Sequence, residues 1–340
     1  MKLRSRSSQS SLKYFKYKGM NSKIISIGSY TPDNVVTNKD LEKTIDTTDE
    51  WIISRTGIKQ RPIADSSQAT SDLAYEAAKI AIERANIDLS EIDLIIVATC
   101  TPDVATPNVG TLIQKKLGLS NFPAFSIEAA CSGFIYALNI ADKFIKSGES
   151  KCALVIGAET LSRITNWGDR NTCILFADGA GAAIVKPSND KGIIFSELGA
   201  NGEYAELLHV PFGTSRKPEN PDEDDYYLQM SGNEVFKVAV KTLEEIAVDA
   251  LKKCNIESKD VDWFIPHQAN VRIIQAVAKR MELPKEKVIL SMDIHGNTSA
   301  ASIPLAFDRA IQDGRIQKGD TILMQSFGAG FTWGSVLLEL

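Results

Sequence analysis

Three polar residues have side chains and sequence settings suited to nucleophilic catalysis: Cys131 in EAACSGF, His267 in FIPHQAN and Asn297 in IHGNTSAAS. Cys131 follows a short apolar stretch and precedes apolar residues at helical spacing, which predicts a sulfur at a helix N-terminus. Free N–H groups and the positive end of the helix dipole stabilise a thiolate there, and the thiolate is the nucleophilic form of cysteine. We therefore interpret Cys131 as a candidate nucleophile.

Each of these residues also has a structural interpretation. A lone cysteine is more often a small buried residue, and the flanking Ala-Ala and Ser-Gly, which permit a close approach to the turn, favour the nucleophile for Cys131. The other cysteines lack that setting and are interpreted as structural; they are Cys100, Cys152, Cys173 and Cys254. Among three histidines, His267 is the best placed, although a histidine that only bonds the backbone would look similar. Asn297 could merely cap the helix that follows it.

The two remaining histidines are weaker candidates. His295 lies two residues before Asn297 and could be confused with the catalytic histidine, whereas His209 stands in an apolar run and is interpreted as structural.

The elements that must position these residues look duplicated. Residues 86–99 align without gaps on residues 255–268, an offset of 169, and each copy is preceded by a helical pattern and enters a short apolar strand. Further helices are predicted at Val109–Leu117 and Val271–Met281, each leading to a strand and a polar loop. Alternating strands and helices favour an α/β fold with two pseudo-symmetric halves and mostly parallel sheets covered by helices. The candidate residues then lie at the carboxyl ends of strands, where loops open into a crevice.

The expected domains are an N-terminal half, residues 21–188, with the nucleophile and a C-terminal half, residues 189–340, with the histidine and asparagine. Residues 1–20 are expected to be a disordered basic tail or the result of a mis-assigned start upstream of Met20; a transit peptide is the third alternative. The first 19 residues carry six basic and no acidic side chains.

Composition excludes several classes of protein. The 340 residues are 44% hydrophobic and 24% charged with a net charge of −5, which is typical of a globular chain without a general nucleic-acid surface. No apolar run is long enough to span a bilayer. Five cysteines without a C-x-x-C pair argue against a disulfide framework and a thiolate zinc site. We expect a cytoplasmic protein with no bound metal, no nucleic-acid partner and no membrane.

Four separated motifs, EAACSGF, FIPHQANVRII, HGNTSAASIP and FGAGFTWGS, together with DEWIISRTGI, resemble the β-ketoacyl-acyl-carrier-protein synthase III enzymes of the thiolase-like superfamily. The resemblance runs from about residue 23 to residue 340. It implies that an acyl group passes from acyl-CoA to a cysteine and then condenses with malonyl-acyl-carrier protein, releasing carbon dioxide. This reaction starts type II fatty acid synthesis. The resemblance further implies a homodimer, acyl carrier protein as partner and no tightly bound cofactor.

The resemblance also assigns roles to individual residues. Cys131 matches the nucleophile, the backbone N–H groups of Cys131 and Ala329 match the oxyanion hole, and His267 and Asn297 match the donors that stabilise the enolate. Many relatives have glycine at Ala329, so the donor survives only if the backbone there suits alanine. The pair of histidine and asparagine also differs from chain-elongating synthases, which carry a second histidine, and from thiolases, which use a second cysteine.

Other matched positions concern the substrates. The residues matched to CoA binding are Trp51, Arg55 and Arg170, with smaller contributions from Gly232 and Asn270. Thr106 matches the far wall of the acyl pocket, supplied by the partner subunit, and its small side chain predicts tolerance of primers larger than acetyl. The expected docking surface for the acidic carrier protein comprises Gln268, Arg272, Lys279, Arg280 and Lys237. Taken without the resemblance, such cations more often cover a solvated helix face.

Three alternatives stay open at this point. A related acyltransferase or condensing enzyme that primes a specialised pathway would share every motif. A silent carrier-protein-binding relative would be expected to lose one of the three catalytic side chains, and all are present. A dinucleotide-binding oxidoreductase is suggested only by glycine runs such as DGAGAA, which precede terminal strands instead of opening a helix.

Overall fold

The computed structural model describes residues 20–215 and 219–340. The expected tail at residues 1–20 therefore falls, except for Met20, outside the described residues. The strands are β1 Asn21–Tyr30, β2 Val35–Thr37, β3 Gln60–Pro62, β4 Leu94–Ala98, β5 Ala124–Ile127, β6 Ala153–Thr160, β7 Asp178–Ser188, β8 Ile193–Ala200, β9 Leu208–His209, β10 Gln229–Met230, β11 Trp263–Pro266, β12 Thr321–Gly328 and β13 Thr332–Glu339. The α-helices are α1 Asn38–Leu41, α2 Asp49–Thr56, α3 Thr70–Ala85, α4 Val109–Lys116, α5 Gly133–Ser147, α6 Arg170–Cys173, α7 Gly232–Cys254, α8 Val271–Arg280, α9 Met292–His295 and α10 Ser302–Gln312.

Two mixed sheets form the centre of the molecule. The first has the strand order β1-β7-β6-β4-β5, and the second has the order β11-β12-β13-β8. Strands β4, β5 and β6 pair in parallel, as do β11 and β12, whereas the other neighbours in both sheets pair antiparallel. The sheets are therefore mixed rather than mostly parallel. The hairpin from β12 to β13 has only residues 329–331 between its strands, and so short a connection joins only antiparallel strands.

The predicted duplication is visible in the strand order. Strands β4, β6, β7 and β1 of the first sheet correspond to β11, β12, β13 and β8 of the second, while the counterpart of β5 is reduced to a single bridge between Phe264 and Val288. Left-handed backbone recurs at the same offset of 169, at Asn86 and Asn255. The fold is thus a two-fold repeat of one unit, as expected. The boundary between residues 188 and 189 stays a prediction.

Helices lie on both faces of each sheet, which gives five layers. Helices α5 and α10 are packed between the sheets, where Phe134 and Phe307 belong to one core shared by both halves. Helices α3 and α4 cover the outer face of the first sheet, and α7 and α8 cover that of the second. Helix α5, which follows the candidate nucleophile, is therefore held on two sides. None of the described helices is both long and apolar enough to cross a membrane.

Candidate active site

A cavity of about 500 Å³ is lined by residues of both halves and contains all three candidate catalytic side chains. Cys131 lies in a 3-10 turn, Ala130–Ser132, that leads into α5. His267 follows the last residue of β11, and Asn297 lies between α9 and a second 3-10 turn, Ser299–Ala301. Residues far apart in sequence thus meet at one site, because each comes at the end of an element that reaches the seam between the sheets.

The turn that carries Cys131 is pressed against the end of β12. A Cβ added to Gly328 would lie 2.7 Å from the backbone nitrogen of Cys131 and 3.1 Å from that of Ser132, so only glycine fits there. The Ser326 hydroxyl donates to the Cys131 carbonyl at 2.6 Å, and Ala130 has a left-handed φ of 44°. These contacts fix the direction of the Cys131 N–H group.

The second backbone donor expected from the sequence is Ala329. Its φ is not left-handed, so alanine is compatible with the backbone at this position. Gly328, rather than Ala329, lines the cavity. The oxyanion role of the Cys131 and Ala329 N–H groups stays a prediction.

The electrostatics of Cys131 differ from the expectation of a thiolate stabilised by a helix N-terminus. Burial raises the pKa of Cys131 to about 12, and the charges of Glu159 and Glu128 raise it further, while the Ser299 side chain opposes them. Burial disfavours the charged form of a thiol, and here it outweighs the stabilising groups. The resting nucleophile is therefore a protonated thiol at neutral pH.

His267 and Asn297 are both buried and both fixed by hydrogen bonds. Burial lowers the pKa of His267 to about 3, so its imidazole is neutral, and its Nδ1 lies 2.6 Å from the Oγ of Ser302. The Oδ1 of Asn297 accepts the Ser299 N–H at 3.0 Å. Because the oxygen is used in this way, the amide nitrogen of Asn297 is left to donate elsewhere. Asn297 thus makes a local turn contact and keeps a donor for a ligand.

Sequence reasoning missed a buried carboxylate beside the nucleophile. Glu159 is fully buried at the end of β6 and accepts hydrogen bonds from Thr101 Oγ1 at 2.6 Å and from the Cys100 N–H at 3.1 Å. Burial raises the pKa of Glu159 to about 7, against the effect of these donors. The available signal was an acid directly after the apolar run ALVIGA. An acid that continues a buried strand is unusual and needs hydrogen-bond partners, because an unpaired acid is rarely buried.

Cys100 is the second thiol near this carboxylate. Its Sγ lies 3.3 Å from Glu159 Oε2, and burial together with the Glu159 charge raises its pKa well above the usual range. Cys100 is therefore a protonated thiol at neutral pH, as Cys131 is, but unlike Cys131 it does not line the cavity.

An aromatic and cationic cluster lies at the mouth of the cavity. The guanidinium carbons of Arg55 and Arg170 each lie 4.7 Å from the ring centroid of Trp51. Trp51 and Arg55 line the cavity, as do Gly232 and Asn270. Arg55 forms no ion pair within the described residues, whereas Arg170 donates to the carbonyl of Asp46 at 2.8 Å. A planar group flanked by two guanidinium groups suits a ligand with an aromatic base and phosphates.

Asn270 has a second, structural task at this mouth. Its Oδ1 accepts the Arg272 N–H at 2.9 Å and so caps the N-terminus of α8.

Of the five residues expected to form the docking surface, four are exposed and one is buried. Arg272, Lys279 and Arg280 on α8 and Lys237 on α7 are exposed. Arg272 also lines the cavity and lies over the Phe236 ring. Gln268 is fully buried, where its amide donates to the Pro266 and Ile289 carbonyls and accepts the Ser291 N–H, so it cannot contact another protein. Polar character alone suggested exposure, but three backbone partners satisfy this side chain inside.

Thr106 is exposed and does not line the cavity. Its expected role depends on a partner subunit, so the role stays a prediction. Within residues 20–215 and 219–340, no group of three or more His, Cys, Asp or Glu side chains could hold a metal ion.

The glycine run DGAGAA lies in β7 and does not open a helix. A Cβ on Gly181 would lie 2.5 Å from the Cβ of Pro304, so this glycine serves the packing of α10 on the sheet. The run lacks the strand-to-helix turn of a dinucleotide-binding fingerprint.

Comparisons with known proteins agree on one family. Residues 125–202 match the family model described as 3-oxoacyl-[acyl-carrier-protein] synthase III, and residues 251–340 match the model of the C-terminal part of the same family. The chain is 52% identical over 318 residues to the β-ketoacyl-[acyl-carrier-protein] synthase III of Alkalilimnicola ehrlichii, covering 93% of this chain and 98% of the relative.

Solved structures agree as well. The crystal structure of 3-oxoacyl-[acyl-carrier-protein] synthase III from Aquifex aeolicus superposes with a TM-score of 0.88 at 49% identity, covering 94% of this chain and 100% of the other. The priming β-ketosynthase of the R1128 polyketide pathway superposes with a TM-score of 0.90 at 37% identity, covering 95% and 97% of the two chains.

Proposed function

Because the chain belongs to the β-ketoacyl-acyl-carrier-protein synthase III family, we propose that it transfers an acyl group from acyl-CoA to Cys131 and condenses it with malonyl-acyl-carrier protein. The observation that carries this proposal is the single cavity in which a cysteine, a neutral histidine and an asparagine meet below a mouth of indole and guanidinium groups. The enzyme is an acyltransferase that starts fatty acid synthesis.

In the first half-reaction the Cys131 sulfur attacks the thioester carbonyl of acyl-CoA. The sulfur loses its proton, the carbonyl oxygen becomes an oxyanion, and the carbon–sulfur bond to CoA then breaks. The CoA thiolate takes up one proton, so the exchange of one thioester for another is balanced. The Cys131 N–H group, held in place by the contact of its turn with Gly328, is positioned to donate to the oxyanion, with Ala329 as the proposed second donor.

In the second half-reaction the malonyl thioester loses carbon dioxide, and the electron pair of the broken bond forms an enolate. His267 and Asn297 donate hydrogen bonds to the enolate oxygen, and the enolate carbon attacks the acyl group on Cys131. The sulfur leaves as a thiolate and is protonated again. A neutral imidazole suits this task, because it stabilises the enolate without transferring a proton to it early.

The substrates bind at the same mouth. Trp51, Arg55 and Arg170 hold the nucleotide end of CoA, and Asn270 and Gly232 line the path of the pantetheine arm. The base of CoA enters by displacing one guanidinium from the Trp51 ring.

The carrier protein docks on exposed cations of α7 and α8, of which Arg272 borders the cavity. They are Arg272, Lys279, Arg280 and Lys237. The reaction needs no resident cofactor. A homodimer, in which Thr106 borders the acyl pocket of the other subunit, belongs to the same proposal.

The alternative that the enzyme primes a specialised pathway is less favoured. Identity is 37% to the priming ketosynthase of the polyketide pathway, against 49% and 52% to the two relatives named 3-oxoacyl- or β-ketoacyl-[acyl-carrier-protein] synthase III.

The proposal is tested by incubating the purified enzyme with a panel of acyl-CoA primers and malonyl-acyl-carrier protein. Mass spectrometry of the carrier protein reports the β-ketoacyl product. We expect product from the wild type and from the Cys254→Ala control, in which a half-buried cysteine outside the cavity is replaced, but none from Cys131→Ala. Absence of product with every primer, or full activity of Cys131→Ala, would contradict the proposal.

A further inference from the structure

The Nδ1 nitrogen of His267 has one hydrogen-bond partner among the described side chains. Ser302, the first residue of α10, places its Oγ 2.6 Å from Nδ1, and this oxygen also lies 3.4 Å from the backbone nitrogen of Gln268. Ser302 and His267 are 1% and 7% exposed, which leaves little room for water to substitute for either contact. The pair is therefore an enclosed unit.

The hydrogen-bonding capacity of these groups selects one tautomer. A neutral imidazole carries its proton on one nitrogen only, and a hydroxyl has one hydrogen to donate. The Gln268 N–H donates to the Ser302 oxygen, so the hydrogen of that hydroxyl points elsewhere. Within the described residues, Nδ1 of His267 is the only acceptor at hydrogen-bond distance from this oxygen. Nδ1 then accepts, and the ring proton lies on Nε2.

The opposite tautomer is disfavoured on two counts. A proton on Nδ1 would leave the Ser302 hydrogen without an acceptor in a buried setting, and a buried polar hydrogen without a partner is destabilising. It would also leave a lone pair on Nε2, where an enolate oxygen needs a donor.

We propose that Ser302 is a positioning residue that fixes His267 as the Nε2–H tautomer, so that the imidazole donates into the cavity. This inference rests on the proposed function for its catalytic meaning, but the tautomer itself does not. It also gives buried Gln268 a role, because its side chain ties the loop after β11 to the Pro266 and Ile289 carbonyls and to the Ser291 N–H, and so holds the N–H that orients Ser302.

Replacing Ser302 should affect the two half-reactions differently. An Nε2 that already carries a proton cannot accept the Cys131 proton at that nitrogen, so acylation should not depend on Ser302. Condensation should depend on it, because the enolate needs the Nε2–H donor. Loss of one donor to a developing oxyanion typically costs about 10²–10³-fold in kcat, which is the upper bound for this effect.

The test compares Ser302→Ala with Ser302→Thr, which keeps the hydroxyl, and with Ser150→Ala. Ser150 is a matched control because it is 1% exposed and donates to Asp93 at 2.6 Å outside the cavity. Two readouts are needed: single-turnover acylation of Cys131 against condensation by the acylated enzyme, and the tautomer of His267 from ¹⁵N shifts of labelled histidine. The chain has three histidines, so few resonances need assignment.

We expect Ser302→Ala to acylate at the wild-type rate, to condense at least about tenfold more slowly, and to show a mixture of His267 tautomers. Ser302→Thr should restore both condensation and the Nε2–H tautomer, and Ser150→Ala should match the wild type. A wild-type spectrum with the proton on Nδ1 overturns the inference, even if Ser302→Ala fails to fold. Equal loss of acylation and condensation, or an unchanged tautomer in Ser302→Ala, overturns it as well. Failure of the proposed function is recognised separately, because the tautomer is read without substrate.

Discussion

Replacing Gly328 by alanine should disable the nucleophile without a change in any polar group. The added Cβ would lie 2.7 Å from the Cys131 nitrogen, 3.1 Å from the Ser132 nitrogen and 3.2 Å from the Ala130 Cβ. Favourable contacts of carbon atoms lie at about 3.5–4.0 Å, so the end of β12 and the turn that carries Cys131 must separate by up to about 1 Å. The Cys131 turn cannot yield easily, because Ser326 holds its carbonyl at 2.6 Å.

The expected cost has a stability part and a rate part. Overpacking of this kind destabilises a fold by about 1–3 kcal/mol. Misplacement of a reacting group by about 1 Å lowers the rate by about 10²-fold. We therefore expect Gly328→Ala to remain folded at room temperature but to acylate about 10²-fold more slowly than the wild type.

Mass spectrometry of Cys131 acylation in samples quenched at successive times measures this rate, and thermal unfolding measures the stability. Gly202→Ala is the matched control, because no heavy atom lies within 4 Å of the Cβ that it adds and its φ is not left-handed. Gly202→Ala should acylate like the wild type. If Gly328→Ala also acylates at the wild-type rate, the reasoning that β12 fixes the nucleophile by close approach is refuted.

Three further predictions concern the nucleophile and its substrates. Alkylation of Cys131 by iodoacetamide should rise about tenfold per pH unit from pH 7 to pH 10, because its pKa is about 12, and a plateau near pH 9 would contradict the burial effect. Arg55→Ala should raise the KM for acyl-CoA severalfold while leaving acylation by a short acyl-pantetheine thioester unchanged; equal losses with both substrates would remove Arg55 from the nucleotide site. Arg272→Glu should raise the KM for malonyl-acyl-carrier protein, and the wild-type KM should rise with added salt, because attraction between opposite charges is screened; equal loss with acyl-CoA would refute the docking role.

The helices could be predicted closely from the sequence. The expected helix at Val271–Met281 is observed at Val271–Arg280, and that at Val109–Leu117 is observed at Val109–Lys116. Both have a strong apolar stripe and a side chain that caps the first turn, Asn270 and Asn108, so local sequence decides where they begin. The duplication was visible because both halves keep the same order of elements.

Strand direction and burial of polar groups could not be predicted in the same way. A glycine-led apolar run has the same residue pattern in a parallel and in an antiparallel strand. The direction of the strand depends instead on its neighbours in the sheet. Glu159 and Gln268 look like surface residues, and their burial depends on partners such as Thr101 and Ser291 that lie far along the chain. Whether Nδ1 of His267 bonds the backbone or a side chain likewise could not be predicted, because its partner Ser302 lies 35 residues further along the chain.

The division of work between Cys131 and the two donors is the central claim, and one measurement tests it most directly. His267→Ala, Asn297→Ala and Cys131→Ala are each incubated with the preferred acyl-CoA, and the acyl group on the protein is quantified by mass spectrometry before and after malonyl-acyl-carrier protein is added. We predict that His267→Ala and Asn297→Ala become acylated and stay acylated, while Cys131→Ala carries no acyl group. Loss of acylation in His267→Ala or Asn297→Ala as complete as in Cys131→Ala, or labelling of Cys131→Ala, would contradict the account.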